Sequence, residues 1–309
     1  MKTSKPKFWD NNYLNLYSLI LLPISYVYRI ILKIKNYFIN KKKFSVPIVC
    51  VGNIYIGGTG KTPLAIMLCE LMKNFSKPVV LKKNYKNQAD ELDLIKKYTK
   101  IITCEKREIG INKAIEKKFN LVILDDGFQD NSVEKDLNIV CFNLKQKIGN
   151  GQVLPSGPLR SSLSYLKNCN IVMINGNKNI EFEEKLKKYN RNIKFFYFHY
   201  SLKNFDAFKN KKLISFAGIG NPSNFFDLLK DNRLNVVKEI EFPDHYNYSE
   251  KELEKLVELE KKYNAKLITT EKDYLRIKSL HRRRIDFIPI KVKIDKQDEL
   301  IEIIKKILK

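Results

Sequence analysis

The stretch "GNIYIGGTGKTP" (residues 52–63) joins a glycine-rich turn to a lysine and a hydroxyl. Backbone N–H groups in such a turn can close on an anion, and a following helix start adds its own unpaired N–H groups. Gly57, Gly58, Thr59 and Gly60 would supply the cradle. Lys61 would reach the outer phosphates of a nucleoside triphosphate, and Thr62 would place its hydroxyl on Mg2+. The strict phosphate-loop spacing wants glycine at position 55, where Tyr55 stands; Gly57 and Gly58 supply the flexibility instead.

Such a loop needs an acidic group at the end of a neighbouring strand to hold the cation through water. "FNLVILDDGFQD" (residues 119–130) offers Asp125 and Asp126 after four apolar residues. Adjacent carboxylates in that place are costly unless paired or metal-bound. A hydroxyl attacking a γ-phosphate also needs an acceptor for its proton. Asp90 and Glu91 stand between two short β-runs, and either would serve equally as a helix N-terminal carboxylate.

The elements that must position these groups follow from the pattern around them. "VPIVCVGN" (46–53) reads as a buried strand, and "KTPLAIMLCELMKN" as a helix with Leu64, Met67, Leu68, Leu71 and Met72 inward. "PVVLK" (78–82) and "KIITC" (100–104) read as further strands. Beyond about residue 204, strands at "KLISFAG", "NVVKEIEF", "AKLITT" and "DFIPIKV" alternate with helices. One helix has Asn221 as cap and Pro222 at its first position, another opens at Ser249, and the last is "QDELIEIIKKIL". The "HRRRI" run (281–285) is a dense basic patch that could face lipid phosphate, though it reads rather as a solvated loop.

At 309 residues the chain is ample for a core and suggests about two domains. Its five cysteines are scattered and form no C-x-x-C pair, so they read as buried thiols, and three histidines exclude a histidine-rich metal site. The net charge of +24 invites a nucleic-acid partner, but only nine of the 58 basic residues are arginine, the better phosphate and base reader. No nucleic acid is expected; an anionic membrane surface is.

Residues 14–39 are mostly apolar. The polar exceptions Asn15, Ser18, Ser25, Arg29, Lys33 and Asn36 form one narrow stripe at helical spacing, and Pro23 is expected to kink the helix. A charged "KKKF" follows instead of a small-residue cleavage site. An amphipathic helix in the membrane interface is expected, beside Lys41, Lys42 and Lys43. The alternative is a helix docked on the protein's own core.

In order, "VGNIYIGGTGKTP", "ADEL", "LDDGFQ", "LPSGPLR" (154–160), "FAGIGNPSNFF" (216–226), "FPDHYNY" (242–248) and "TTEKD" (269–273) resemble the tetraacyldisaccharide 4'-kinases of lipid A synthesis, over almost the whole chain. The resemblance implies two α/β/α sandwich lobes joined by a hinge, the first with a P-loop core, and a membrane-associated N-terminal helix. The domains expected are residues 1–43, 44–203 and 204–309. It implies transfer of the ATP γ-phosphoryl group, with Mg2+, to the 4'-hydroxyl of an acylated glucosamine disaccharide 1-phosphate. The place implied is the cytoplasmic face of the bacterial inner membrane. It makes Asp90 the catalytic base and His245 its support. Asp125 and Asp126 become the metal-side pair, and Gln129 and Arg160 the substrate side.

The chain departs from the family pattern at Asp130, where histidine is frequent, and at Ser161-Ser162, where Glu-Pro is usual. It also departs at "KKNYK" (82–86), where the family has Ser-Arg-Gly-Tyr-Gly, and at Leu92, where proline is usual. These touch the expected acceptor contacts and leave Lys61, Thr62, Asp90, Asp125 and Asp126 intact. The rival readings are a P-loop enzyme with a small soluble acceptor and a non-catalytic nucleotide switch at a membrane. The absence of an N-K-x-D motif counts against a guanine-nucleotide switch.

Overall fold

The computed structural model describes residues 5–84, 89–278 and 280–308, so Tyr85 of the "KKNYK" run lies outside the described residues. The chain runs through α1 (Leu16–Tyr37), β1 (Ile48–Gly52), α2 (Lys61–Met72), β2 (Pro78–Lys83), α3 (Ala89–Tyr98) and β3 (Ile101–Cys104). It continues with α4 (Arg107–Glu116), β4 (Leu121–Asp125), β5 (Leu137–Asn143), β6 (Ile171–Asn175), α5 (Ile180–Lys187) and β7 (Lys194–Leu202). Then follow β8 (Lys212–Ala217), α6 (Pro222–Asp231), β9 (Asn235–Glu241), α7 (Glu250–Tyr263), β10 (Lys266–Thr270) and α8 (Glu271–Arg276). The chain closes with β11 (Ile285–Ile288), β12 (Ile290–Ile294) and α9 (Gln297–Lys306).

Two compact units result. The larger holds Lys5–Asn84, Tyr98–His199 and the C-terminal segment from Ile294; the other holds Tyr200–Lys293 and the segment ending at Lys97. The chain passes from the larger unit to the other at Tyr200. Two segments depart from a linear division: the one carrying Asp90 belongs with Tyr200–Lys293, and α9 belongs with the larger unit.

The larger unit's sheet runs β7-β6-β5-β1-β4-β2-β3 with every neighbouring pair parallel. Central β1 is buried at every residue, as a parallel sheet covered on both faces requires. The crossover β1-α2-β2 moves towards one edge and β3-α4-β4 moves back. Right-handed connections therefore set α2 and α4 on opposite faces. After β4 the chain passes to β5 on the far side of β1. Such a reversal is where open parallel sheets bind ligands, beyond the carboxyl ends of the strands. The inward set expected for α2 is corrected: Leu64 to Cys69 are buried without a break, together with Met72, whereas Leu71 is half-buried. An all-round apolar helix is a buried one, not an amphipathic one.

The second sheet runs β11-β10-β8-β9, again all parallel. Leu213 and Ala217 of β8 pack with Phe225, Phe226 and Leu229 of α6. Ile214 and Phe216 pack with Leu253 and Leu256 of α7. The alternation covers both faces and makes this unit an α/β/α sandwich. Ser249 and Glu252 form a complete capping box at α7. Asn221 precedes Pro222 as expected but makes no side-chain cap; its Oδ1 accepts from Ser223 Oγ at 2.8 Å. The run "DFIPIKV" is two strands rather than one, parted at Pro289, which has no N–H to give a ladder.

Helix α1 continues unbroken through Pro23 and docks by its polar side. Ser18 and Ser25 are its buried residues, while Arg29 and Lys33 of the expected stripe are exposed. Ser25 Oγ donates to the Val153 carbonyl at 2.8 Å and accepts from Ser156 N at 2.9 Å. Ser156 Oγ donates to the Ser18 carbonyl at 2.8 Å, and Asn36 Nδ2 donates to Tyr165. The apolar side faces outward: Leu16, Ile20, Ile24, Val27, Ile31 and Ile34 are all exposed, Leu16 by 69%. This helix is the reverse of a core helix.

Candidate active site

The larger unit gathers its charged groups at the carboxyl ends of β1, β2 and β4. The loop after β1 ends at Gly60 in the left-handed region (φ 87°), a conformation that suits glycine, and Gly60 offers no side chain to cap α2. The first N–H groups of α2 are thus left to an anion. Gly57 is also left-handed (φ 74°). Tyr55 fits where the strict motif wants glycine because this part of the loop is paired, not open. It forms a bridge with Leu159, Ile56 N donates to the Pro158 carbonyl at 2.9 Å, and Arg160 N donates to Ile54 at 2.7 Å. The "LPSGPLR" run therefore holds the phosphate loop from outside it. Inside, Asn53 Nδ2 donates to Thr59 Oγ1 at 2.9 Å, and Gln129 Nε2 donates to the Asn53 carbonyl at 2.6 Å.

Register explains the acidic pair. Asp125 ends β4 opposite Val51 of β1 and opposite Lys82 of β2. Its Oδ2 accepts from Thr62 Oγ1 at 3.0 Å and from Lys82 Nζ at 2.6 Å, with both charged side chains buried. Among the described residues, Asp125 Oδ1 is buried with no hydrogen-bond partner. Asp126, in the left-handed region (φ 59°), turns the other way. Arg160 NH1 reaches its two oxygens at 2.9 and 3.0 Å, and Lys61 Nζ lies 3.8 Å from Oδ1. Burial pushes the Asp126 carboxyl up, but the Lys61 and Arg160 charges outweigh it and hold it below the usual carboxylate value. The two aspartates are thus distinct: Asp125 faces Thr62, and Asp126 faces Lys61.

Asp130 serves the scaffold. It accepts from Arg107, Ser132 N and Ser132 Oγ, and Arg107 also donates to the Asp126 carbonyl at 2.7 Å. Burial opposes ionisation of Asp130, yet the Ser132 bonds and Arg107 bring its carboxyl down to about 2. Ser161 is buried with its Oγ 3.5 Å from Gln129 Nε2.

The second unit assembles a different cluster. Asp90 lies in the first turn of α3 and is buried. His245 follows β9 with a left-handed backbone (φ 55°), its N–H donating to the Gly218 carbonyl at 3.1 Å. That strained turn aims the ring at Asp90, with Nδ1 at 3.3 Å from Oδ1. Arg276 of α8 donates through Nε to Asp90 Oδ2 at 2.9 Å and through NH1 to the Gly218 carbonyl at 2.7 Å. Lys272 Nζ sits 3.0 Å from Glu91 and 3.4 Å from His245 Nε2. Asp273 fixes α8: it accepts from Thr270 Oγ1, Gly218 N, Tyr248 OH and Arg276. Burial raises the Asp90 carboxyl, but the His245 hydrogen bond and the Lys272 and Arg276 charges win. They hold it well below the usual range.

The structure thus brings Asp90 to His245, and Thr62 to Asp125. Sequence reasoning missed Asn53, Lys82, Arg107, Lys272 and Arg276. Asn53 lay within "VGNIYIGGTGKTP", Lys82 within "KKNYK" and Lys272 within "TTEKD"; Arg276 stands one helical turn after Lys272.

The family model described as LpxK, tetraacyldisaccharide-1-P 4'-kinase, matches residues 17–309. The chain is 44% identical to the tetraacyldisaccharide 4'-kinase of Pelagibacter ubique (strain HTCC1062), over 97% of this chain and 96% of that one. It is 33% identical to the tetraacyldisaccharide 4'-kinase of Rickettsia bellii (strain OSU 85-389), over 90% of each. The crystal structure of the "apo" form of LpxK from Aquifex aeolicus in complex with ATP is similar with a TM-score of 0.74 and 26% identity. It covers 95% of this chain and 100% of that one.

Proposed function

The chain belongs to the tetraacyldisaccharide 4'-kinase family, and we propose that its two clusters divide one phosphoryl transfer between them. The activity is ATP-dependent phosphorylation of a tetraacyldisaccharide 1-phosphate at its 4'-hydroxyl, a step of lipid A biosynthesis. Lys61 and the N–H groups from Gly57 to Thr62 bind the β- and γ-phosphates. Thr62 and Asp125 would hold Mg2+. The hydroxyl and Asp125 Oδ1, which has no partner among the described residues, would suit a hydrated Mg2+ that uses few protein oxygens. When bound, that ion neutralises phosphate charge. Asp126 keeps Lys61 and Arg160 in place, and Arg160 and Gln129 serve the acceptor side.

Asp90 is the base. Arg276 takes Oδ2, so Oδ1 is shared between His245 and the incoming hydroxyl. The 4'-oxygen bonds to the γ-phosphorus as the bond to the β-phosphate oxygen breaks, and the proton passes to the Asp90–His245 pair. A carboxylate held so acidic is a weak base. That suffices where the transition state is loose and the nucleophile keeps its proton until late. The observation that carries this reading is the meeting of Asp90 and His245, 155 residues apart in sequence, at 3.3 Å.

Helix α1 lies in the interface of the inner membrane's cytoplasmic leaflet. At 22 residues it is long enough to cross a bilayer, but its buried serines tie its length to the protein surface and leave the apolar side for lipid. That placement favours an acylated acceptor over a small soluble one. The test is transfer of labelled γ-phosphate from ATP to the tetraacyl disaccharide 1-phosphate in mixed micelles. Label in the lipid, and none with a 4'-deoxy acceptor, is expected. Label in a soluble sugar but not in the lipid would overturn the reading.

A further inference from the structure

Lys82 stands out in the larger unit as a buried cation that the transfer chemistry does not use. Its side chain and that of Asp125 are 2% and 0% exposed. The pairing follows from register, since Lys82 and Asp125 are neighbours across β2 and β4 and project to the same side. Asp125 Oδ2 therefore serves both Thr62 and Lys82, while Oδ1 has no partner among the described residues. The two carboxylates of the pair face three cations, Lys61, Lys82 and Arg160. The cations outnumber the carboxylates by one before any metal arrives.

We propose that Lys82 is a resident monovalent cation at the metal-side carboxylate, which makes divalent-cation binding conditional on the triphosphate. This rests on the reading of Asp125 as a Mg2+-side residue. A divalent ion at Thr62 and Asp125 is placed beside the Lys82 ammonium in a dry site, where like charges repel strongly. The free protein then binds metal only weakly. Only the negative charge of ATP offsets that repulsion, so metal and nucleotide enter as one complex. Lys82 also keeps Asp125 from standing as an unpaired buried charge while the site waits.

The probe is Mn2+, counted by the electron paramagnetic resonance signal of the unbound ion, on the full chain. Wild type without nucleotide is expected to bind it weakly, and wild type with a non-hydrolysable ATP analogue tightly. Lys82→Met without nucleotide is expected to bind Mn2+ at least about tenfold more tightly than wild type. Lys82→Met/Asp125→Asn is expected to return to the weak level. Lys82→Gln keeps a donor for Asp125 and decides the matter if the Met variant does not fold. Binding no tighter in the Lys82 variants than in wild type would overturn the proposal, as would tight binding by wild type without nucleotide. If Asp125→Asn leaves binding with the analogue unchanged, it is the metal reading of Asp125 that fails.

Discussion

The two clusters solve the same problem, a buried carboxylate, one at the end of a strand and one in the first turn of a helix, with partners of different origin. Asp125 is matched by residues on strands and a helix that touch β4 directly: Lys82 across the ladder and Thr62 at the start of α2. Asp90 is matched by a turn residue and a short helix some 155 and 186 positions away, His245 and Arg276. The first arrangement is fixed by strand register, which a parallel sheet buried on both faces specifies strongly. The second is fixed by loop geometry, a left-handed His245 and an α8 pinned through Asp273. Ladder-held charges should tolerate neighbouring changes better than loop-held ones.

The sharpest break in the comparison comes from Lys61→Ala. Removing a charge aimed at the triphosphate should cost about 10³-fold or more in kcat/KM and weaken ATP binding in calorimetry. Transfer within tenfold of wild type would show that the loop N–H groups alone hold the phosphates.

Arg276→Gln sharpens the contrast at the other cluster. The Asp90 carboxyl is held below its ordinary value because His245, Lys272 and Arg276 outweigh burial. With the folded pKa depressed, the associated stability is full above the unfolded value of about 3.9 and is lost as pH falls through the folded value. Without Arg276, burial gains weight and the carboxyl rises. The acid limb of kcat against pH should therefore move up by about one unit or more, with lower stability at neutral pH. An unmoved acid limb would remove Arg276 from control of the base.

The smallest effect concerns α1. Changing exposed Ile20, Ile24 and Val27 together to serine should weaken binding to anionic vesicles by roughly tenfold or more. The thermal midpoint should hardly change, because these side chains cover no core. A large drop in midpoint with unchanged vesicle binding would make α1 a structural helix instead.

Much of this was legible in the sequence for a physical reason. The phosphate loop and "LDDGFQ" are contiguous signals, each read from one strand end and its turn. The strands β1, β2, β3 and β4 and the start of α7 at Ser249 were likewise local. The long-range groups were not. Lys82 reads as the tail of an apolar strand, and only its register against Asp125 gives it a role. Arg276 sits in an unremarkable short helix until that helix meets Asp90. The polar stripe of α1 was visible from spacing, but not that Ser18 and Ser25 would be the buried side. The departure at Asp130 has a structural account, since Arg107 and Ser132 claim the carboxylate.

The central claim is that the Asp90 cluster acts in the transfer step while the Lys61 cluster holds the nucleotide. The most direct measurement is Asp90→Asn, with ATP binding by calorimetry and lipid labelling in micelles on the same preparation. The account predicts ATP affinity within about twofold of wild type and transfer reduced by about 10²-fold or more. Transfer near the wild-type rate with intact ATP binding would contradict it and take the base role away from Asp90.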